Sequence, residues 1–303
     1  GCAVILGAPL TDDAVGEIAG RIGVLRETNF GRLFDVRVDT DPVSNSNTGL
    51  ELPPHTDLPT REYQPGLQLL HCLVNDVAGG LSLLVDGYRV PAELRDRSPR
   101  FYELLTTHPW DFANRSRTSD YRWRAPMIGV DSDGNWTGVR VGNWLRGPLD
   151  APFDLVEELY EAYRAFEGLS PQARFQIRFR LEPGDCLIFD NRRLLHGRTS
   201  LGPGAGRRHL RGCYMDRDEL RSRLNMLERR RRTRKVVAGQ GPWAGDGRVA
   251  CWRREEAPQR QGARSPAEPT ARSGPLGVGP QESGRSEERR VGKEGRSRWS
   301  PYH

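Results

Sequence analysis

The spacing of apolar residues predicts a mainly β domain of the barrel or jelly-roll kind with helices on its flanks. Three stretches carry that expectation. LQLLHCLV at 67–74 is a short, nearly continuous apolar run, suited to a strand covered on both faces. ARFQIRFRL at 173–181 alternates Phe175, Ile177 and Phe179 with Gln176, Arg178 and Arg180, the period-two mark of a strand with one wet face. EPGD at 182–185 supplies the Pro and Gly of a turn, after which CLIFD at 186–190 returns as a strand. Helical spacing is confined to two places. One is DDAVGEIAGRIGVL at 12–25. The other is FDLVEELYEAYRAFEGL at 153–169, where Leu155, Leu159, Ala162, Tyr163 and Phe166 share a face and Gly168 stands at the end. Many short strands with few helices fit a closed or two-sheet β architecture, and no internal repeat is visible.

With 303 residues and 36% hydrophobic content, the chain can bury one substantial core. No run of about 18 apolar residues occurs, and the start GCAVILGAPLTDD lacks a basic segment ahead of a long apolar one, so neither a membrane span nor a signal peptide is expected. A cytoplasmic protein with no membrane partner is the expectation. The five cysteines, Cys2, Cys72, Cys186, Cys213 and Cys251, are odd in number and contain no CxxC pair, which speaks against a disulfide framework and a zinc knuckle.

The net charge of +6 would suggest an anionic partner, but its location removes that reading. Residues 231–303 carry 16 Lys and Arg against 8 Asp and Glu, which leaves residues 1–230 at −2. Nothing in that part resembles a nucleic-acid footprint. From about Arg230 the composition turns to Gly, Pro, Arg, Ser and Glu without hydrophobic periodicity, which cannot offset its own ordering entropy. The expected organisation is therefore one domain over 1–230 and a disordered basic tail over 231–303. The start at Gly1 suggests N-terminal truncation, and the tail composition suggests non-native sequence.

The chemistry concentrates in PPHTDLP. His55 and Asp57 stand two apart, so on a strand both side chains would leave the same face. A third candidate lies in IFDNRRLLHGR, where an apolar strand presents His196, 141 residues beyond His55. Two histidines and one carboxylate make the facial triad that binds non-haem iron(II) and leaves coordination positions open. Arg208 follows twelve residues after His196, far enough to reach the next strand, where a guanidinium can clasp a carboxylate through two hydrogen bonds. His71 reads as a core histidine hydrogen-bonded to backbone, His108 as a loop residue, and His209 as facing away from Arg208.

These segments together resemble a family. HTDLPTREYQPGLQLLHCLVNDVAGG at 55–80, VDG at 85–87, FDNRRLLHGRTS at 189–200 and RHLRGCY at 208–214 are similar, in order and spacing, to the γ-butyrobetaine hydroxylases, relatives of trimethyllysine hydroxylase within the taurine-dioxygenase-like group. The resemblance runs from about Phe30 to about Leu227. It implies a double-stranded β-helix of the clavaminate-synthase-like kind, dependent on iron(II), 2-oxoglutarate and O2, with ascorbate as reductant. His55, Asp57 and His196 take the metal positions. Arg208 takes the position that pairs with the distal carboxylate of 2-oxoglutarate, and Ser82 matches the hydroxyl residue that assists it.

On the substrate side the resemblance brings in Phe30, Phe34, Tyr214 and Asn143, the aromatics as faces for a quaternary ammonium group. The family's aromatic cage is only partly kept. Leu58 follows the metal aspartate where an aromatic can occur, SNSNTGLEL at 44–52 has no tyrosine, and Leu81 replaces a usual acidic residue. Core packing is the competing reading of the Phe pair. The implied reaction is hydroxylation of γ-butyrobetaine to carnitine, with a trimethyllysine-type or other small amine-bearing carboxylate as the alternative. Retention of Asp57 argues against a halogenase, in which a small residue vacates that place. A catalytically silent jelly roll that binds a metabolite is the rival from another class. A small molecule is the expected partner, and a homodimer is the one protein assembly considered.

Overall fold

In the computed structural model, residues 1–38, 48–202, 206–236 and 249–250 are described. The chain opens with β1 (Cys2–Ile5), α1 (Ala14–Gly20), β2 (Leu25–Arg26), β3 (Phe34–Arg37), β4 (Leu52–His55), β5 (Leu67–Asn75) and β6 (Ser82–Asp86). Next come α2 (Arg89–Arg97), α3 (Pro99–Thr107), β7 (Pro109–Arg115), β8 (Asp120–Pro126), β9 (Ile128–Val130), β10 (Trp136–Val139) and α4 (Phe153–Leu169). It finishes with β11 (Gln176–Phe179), β12 (Cys186–Asp190), β13 (Leu194–Arg198), β14 (Arg208–Met215), α5 (Arg217–Val236) and β15 (Val249–Ala250).

Two antiparallel sheets carry the molecule. The larger runs β15-β1-β12-β5-β14-β2, with β3 also paired to β14, and the smaller runs β11-β6-β13-β4. β5 is covered on both faces, as its apolar run requires. Leu67 and Leu69 pack with Val15 and Ala19 of α1, while Leu70 and Cys72 pack with Leu84, Leu187, Phe189, Leu194 and Leu210 between the sheets. Each such leucine contributes about 1.5–3 kcal/mol by leaving water. β6 and β13 divide their side chains in the same way. Val85 and Leu195 turn outward under α2, α3, α4 and the β7/β8 and β9/β10 hairpins, and the alternate residues face the larger sheet. The EPGD turn forms as expected, with Gly184 at φ 93° and the Asp185 carboxylate accepting from the Glu182 N–H at 2.9 Å.

Several expectations change. The predicted N-terminal helix keeps only seven residues, because Arg21–Gly23 turn away to let β2 pair with β14. Ile177 does not alternate inward. It is 55% exposed because β11 is the outermost strand of its sheet and half its side chains have no layer above them. α4 matches its predicted span and buries Leu159, Ala162, Tyr163 and Phe166. α2 and α3 were not legible as helices, being short, and α3 begins at Pro99, whose fixed φ suits a first helical turn. α5 runs to Val236, past the boundary drawn at residue 230, and the backbone of Val249–Ala250 pairs with Ile5 and Val4. The remainder of the expected tail, with Cys251, lies outside the described residues. Cys72, Cys186 and Cys213 are free, buried thiols. No described helix is long and apolar enough to cross a membrane.

One glycine decides how closely the smaller sheet closes. A Cβ at Gly197 would be driven into the backbone carbonyl of Leu52, so β4 can lie against β13 only because position 197 has no side chain. Gly197→Ala should therefore destabilise the fold by about 1–3 kcal/mol through overpacking against backbone that cannot move aside. A urea denaturation midpoint equal to the parent's would refute this.

Candidate functional site

Three residues converge where β4 ends. His196 of β13 and His55, the last residue of β4, are cross-strand partners, so their rings leave the same face, with centroids 4.2 Å apart. Asp57 is not on the strand, as the two-residue spacing had suggested, but in the bend after it. That bend is held by Asn191, whose side-chain carbonyl accepts from the Asp57 N–H at 2.8 Å and whose amide donates to the Asp57 and Pro65 carbonyls, both at 3.1 Å. Gln64 and the Thr56 hydroxyl add further bonds from the other side. Leu58, the next residue, has φ 53°, a left-handed conformation that no other described non-glycine residue adopts.

The donor set suits a divalent metal. One nitrogen or oxygen from each of His55, Asp57 and His196 lies within 4.8 Å of the other two, and they form the single such cluster among the described residues. The Nε2 atoms of His55 and His196 stand 3.3 and 3.7 Å from Oδ1 of Asp57. Donors about 2.1 Å from one ion and at right angles would lie about 3 Å apart, so the spacing is near that of a coordination sphere. Nδ1 of His55 lies 2.9 Å from the Pro53 carbonyl, which holds a proton on that nitrogen and leaves Nε2 as the free lone pair.

Charge states agree with this role. Burial, reinforced by the neighbouring His55, pushes the His196 imidazole down to about 3, so it is neutral at ordinary pH and has no proton to lose on ligation. Burial works against ionisation of Asp57, but the electrostatic pull of the neighbouring His196 and His55 rings and the hydrogen bond from Tyr214 outweigh it and hold the carboxyl well below the usual range. Tyr214 donates to Oδ2 of Asp57 at 2.6 Å, and burial beside that carboxylate raises its phenol, which stays protonated.

The triad opens into a cavity of about 530 Å³, within the range of small-molecule sites. Ser82 and Arg208 line it, as do Phe30, Phe34 and Tyr214. Arg208 is 9% exposed, forms no ion pair among the described residues and leaves its Nε without a partner. Burial and the nearby Arg198 guanidinium draw it down to about 10, still charged at neutral pH. Phe34 stacks on Tyr214 at 4.8 Å, and Phe30, 37% exposed, stands 6.5 Å from Phe34 at the rim. Asn143 is not brought to the cavity. It is exposed, its side-chain oxygen takes a bond from Arg146 at 3.4 Å, and its neighbour Trp144 lines the cavity instead, edge-on to His55 at 4.9 Å.

The other histidines sort differently. His71 is fully buried in β5, but neither ring nitrogen has a hydrogen-bond partner among the described residues, so the expected backbone bond is not formed there, and burial lowers its basicity. His209 turns to Asp35 at 2.8 Å, away from the cavity side of Arg208, and His108 caps α3. Asn191 and Trp144 were missed as site residues. The first directly follows strand β12 and the second lies in the short 3-10 turn Asn143–Leu145; Arg198, a fallback to Arg208 as carboxylate anchor on the sequence alone, stands two residues beyond His196 on the same strand face.

The family described as "Taurine catabolism dioxygenase TauD, TfdA family" matches residues 1–214. The chain belongs to the TauD, TfdA family. Within reach of that family, it is 48% identical over 223 residues to a γ-butyrobetaine dioxygenase of Pseudomonas sp. (strain AK-1), covering 74% of this chain and 58% of the relative. It is 33% identical to the human γ-butyrobetaine dioxygenase, over 75% of this chain and 60% of that protein, and 31% identical to the mouse mitochondrial trimethyllysine dioxygenase, over 75% and 55%. The chain thus spans under two thirds of the length of these relatives. A taurine dioxygenase from Burkholderia xenovorans shares the TauD, TfdA fold at a TM-score of 0.51, with 13% identity over 68% of this chain and 72% of that one. An asparagine oxygenase crystallised with Fe(II), a hydroxyasparagine and succinate shares it at 0.50, with 22% identity over 61% and 56%.

The depressed basicity of His196 makes a stability prediction for the metal-free chain. Below about pH 6.5 the unfolded chain takes up a proton at this position that the folded chain refuses, so stability falls as pH drops from 6.5 towards 3 and gains nothing above 6.5. Between pH 7 and 5 the parent should lose about 2 kcal/mol more than His196→Gln does. Parallel urea midpoints for the two proteins over that interval would contradict it.

Proposed function

We propose that this chain forms the reaction centre of an iron(II)- and 2-oxoglutarate-dependent hydroxylase built as a double-stranded β-helix, acting on γ-butyrobetaine to form carnitine. The observation that carries the proposal is the joint presence, in one cavity, of the His55–Asp57–His196 cluster and the buried, unpaired Arg208. A guanidinium withdrawn from water without a counter-ion is costly, and a ligand carboxylate is the partner that would relieve it. The 48% identity to a γ-butyrobetaine dioxygenase supports that substrate ahead of trimethyllysine, where identity is 31%.

His55, Asp57 and His196 would hold the iron, which when bound would supply the coordination positions for the keto-acid end of 2-oxoglutarate and the redox chemistry for O2 activation. Arg208 would take the distal carboxylate, with Ser82, 7% exposed in the same wall, offering a hydroxyl beside it. The stacked rings of Phe34 and Tyr214 line the rest of the cavity, aromatic surface suited to a quaternary ammonium group. The apolar walls, Leu58, Leu70, Leu84 and Leu187 among them, keep water from the reacting carbon. The partner is a small molecule, and ascorbate would serve as reductant in the assay.

The direct test is succinate formation in the presence of iron(II), ascorbate and 2-oxoglutarate. Addition of γ-butyrobetaine should stimulate it and yield carnitine, and trimethyllysine should stimulate it less. No succinate above the blank would favour a catalytically silent metabolite-binding protein. Arg208→Met should raise the 2-oxoglutarate dissociation constant on the order of 30-fold or more, since losing one partner of a desolvated charge pair costs about 2–5 kcal/mol. Iron affinity without 2-oxoglutarate should change by less than about threefold, because Arg208 is not a ligand. Anaerobic titration of 2-oxoglutarate into the iron-loaded proteins, followed by the metal-to-ligand charge-transfer band, reads both.

A further inference from the structure

The two oxygens of Asp57 have different surroundings. Oδ1 faces the Nε2 atoms of His55 and His196 at 3.3 and 3.7 Å, whereas Oδ2 accepts the Tyr214 hydroxyl at 2.6 Å. The Tyr214 ring is fixed in turn. It is 3% exposed on β14 and stacks on Phe34 at 4.8 Å with 29° between the planes. Phe34 can reach it because its cross-strand partner is Gly212, and a Cβ there would strike the Phe34 ring. A rigid phenol therefore holds one carboxylate oxygen while the other is turned towards the histidines.

From this geometry we infer that Tyr214 is a positioning residue for the metal: by holding Oδ2 it makes Asp57 a one-oxygen ligand and keeps the adjacent coordination position open. The inference rests on the reading of His55, Asp57 and His196 as iron ligands. Without the hydroxyl, the carboxylate can rotate about its Cβ–Cγ bond, and Oδ2 can swing towards the metal as a second donor or away from the cluster altogether. Partners that orient a ligating side chain typically matter by about 10–100-fold in metal affinity. The same ring also forms part of the cavity wall, so whatever presses on the Phe34–Tyr214 stack acts on the metal carboxylate through one hydrogen bond.

The test uses the full chain and metal alone, with neither 2-oxoglutarate nor amine substrate present. Tyr214→Phe keeps the ring and the stack but removes the donor. Anaerobic competition against a chromophoric chelator should show iron(II) bound about 10–100-fold more weakly than by the parent. Replacement of Tyr214 by 4-aminophenylalanine, which restores a donor at the same reach, should recover most of the loss. Cobalt(II) gives an independent signature: its d–d absorption responds to how the carboxylate binds, so the spectrum of the Tyr214→Phe complex should differ from the parent's. Equal iron affinity and an unchanged cobalt spectrum in Tyr214→Phe would overturn the inference while leaving the metal site intact. A parent chain that binds neither metal would overturn the site reading and this inference together. If Tyr214→Phe does not fold, Phe34→Leu keeps the hydroxyl and frees the ring: weaker iron binding supports the restraint, and unchanged affinity refutes it.

Discussion

The pairing of β4 with β13 is the constraint on which the functional centre depends. It brings His55 and His196 opposite one another although they are separated by most of the folded chain. Strand side chains alternate, so a slip of one residue in this register would send one ring inward and the other out. The outer strands and helices act on the site through this pair. Leu195 anchors β13 in the helical layer, Phe189 packs against His196 at 4.8 Å, and the Asn191 amide binds the bend that delivers Asp57.

Electrostatics gives the cavity its polarity. Arg208 and Arg198 are both buried in its lining, against one carboxylate, Asp57, that faces the histidines, while Asp35 is already engaged by His209 and Arg211. Arg198 turns its two terminal nitrogens to the carbonyls of Thr48, Leu50 and Thr199, which ties down the approach to β4. Arg208 has no such outlet. The positive charge is thus sorted into one guanidinium on β13 that holds the backbone and one on β14, in the other sheet, that has no counter-charge among the described residues.

The His55–Asp57–His196 cluster was legible because metal chemistry demands rare residue types, and these stood out against a chain with six histidines in all. β5 and α4 were legible because their periodicity reflects what covers them. Asp57 was placed on the wrong kind of element, since spacing of two is equally compatible with a strand and with a bend after it. Asn143 and Trp144 show a second limit: adjacent residues in a loop exchange roles when the backbone turns by less than one residue's width, and no pattern in the sequence records that turn. Ile177 shows a third, because alternation announces a strand but not whether it lies at the edge of its sheet. His71 was correctly placed in the core and wrongly given a bond, since burial is written in its apolar neighbours while hydrogen-bond geometry is not.

Leu58 carries a consequence for how this architecture can change over evolutionary time. A left-handed, non-glycine residue immediately after Asp57 is worth on the order of 1–2 kcal/mol of local strain. Glycine would remove that strain, but it would also remove a buried side chain from the cavity wall and loosen the backbone that aims the carboxylate. Selection for thermal robustness and selection for a well-aimed Asp57 carboxylate therefore pull this position in opposite directions. A lineage that keeps a branched side chain here must hold the spare stability elsewhere, in the layers beneath α1 and α4, and mutations eroding those distant layers would first be felt as lost tolerance at residue 58.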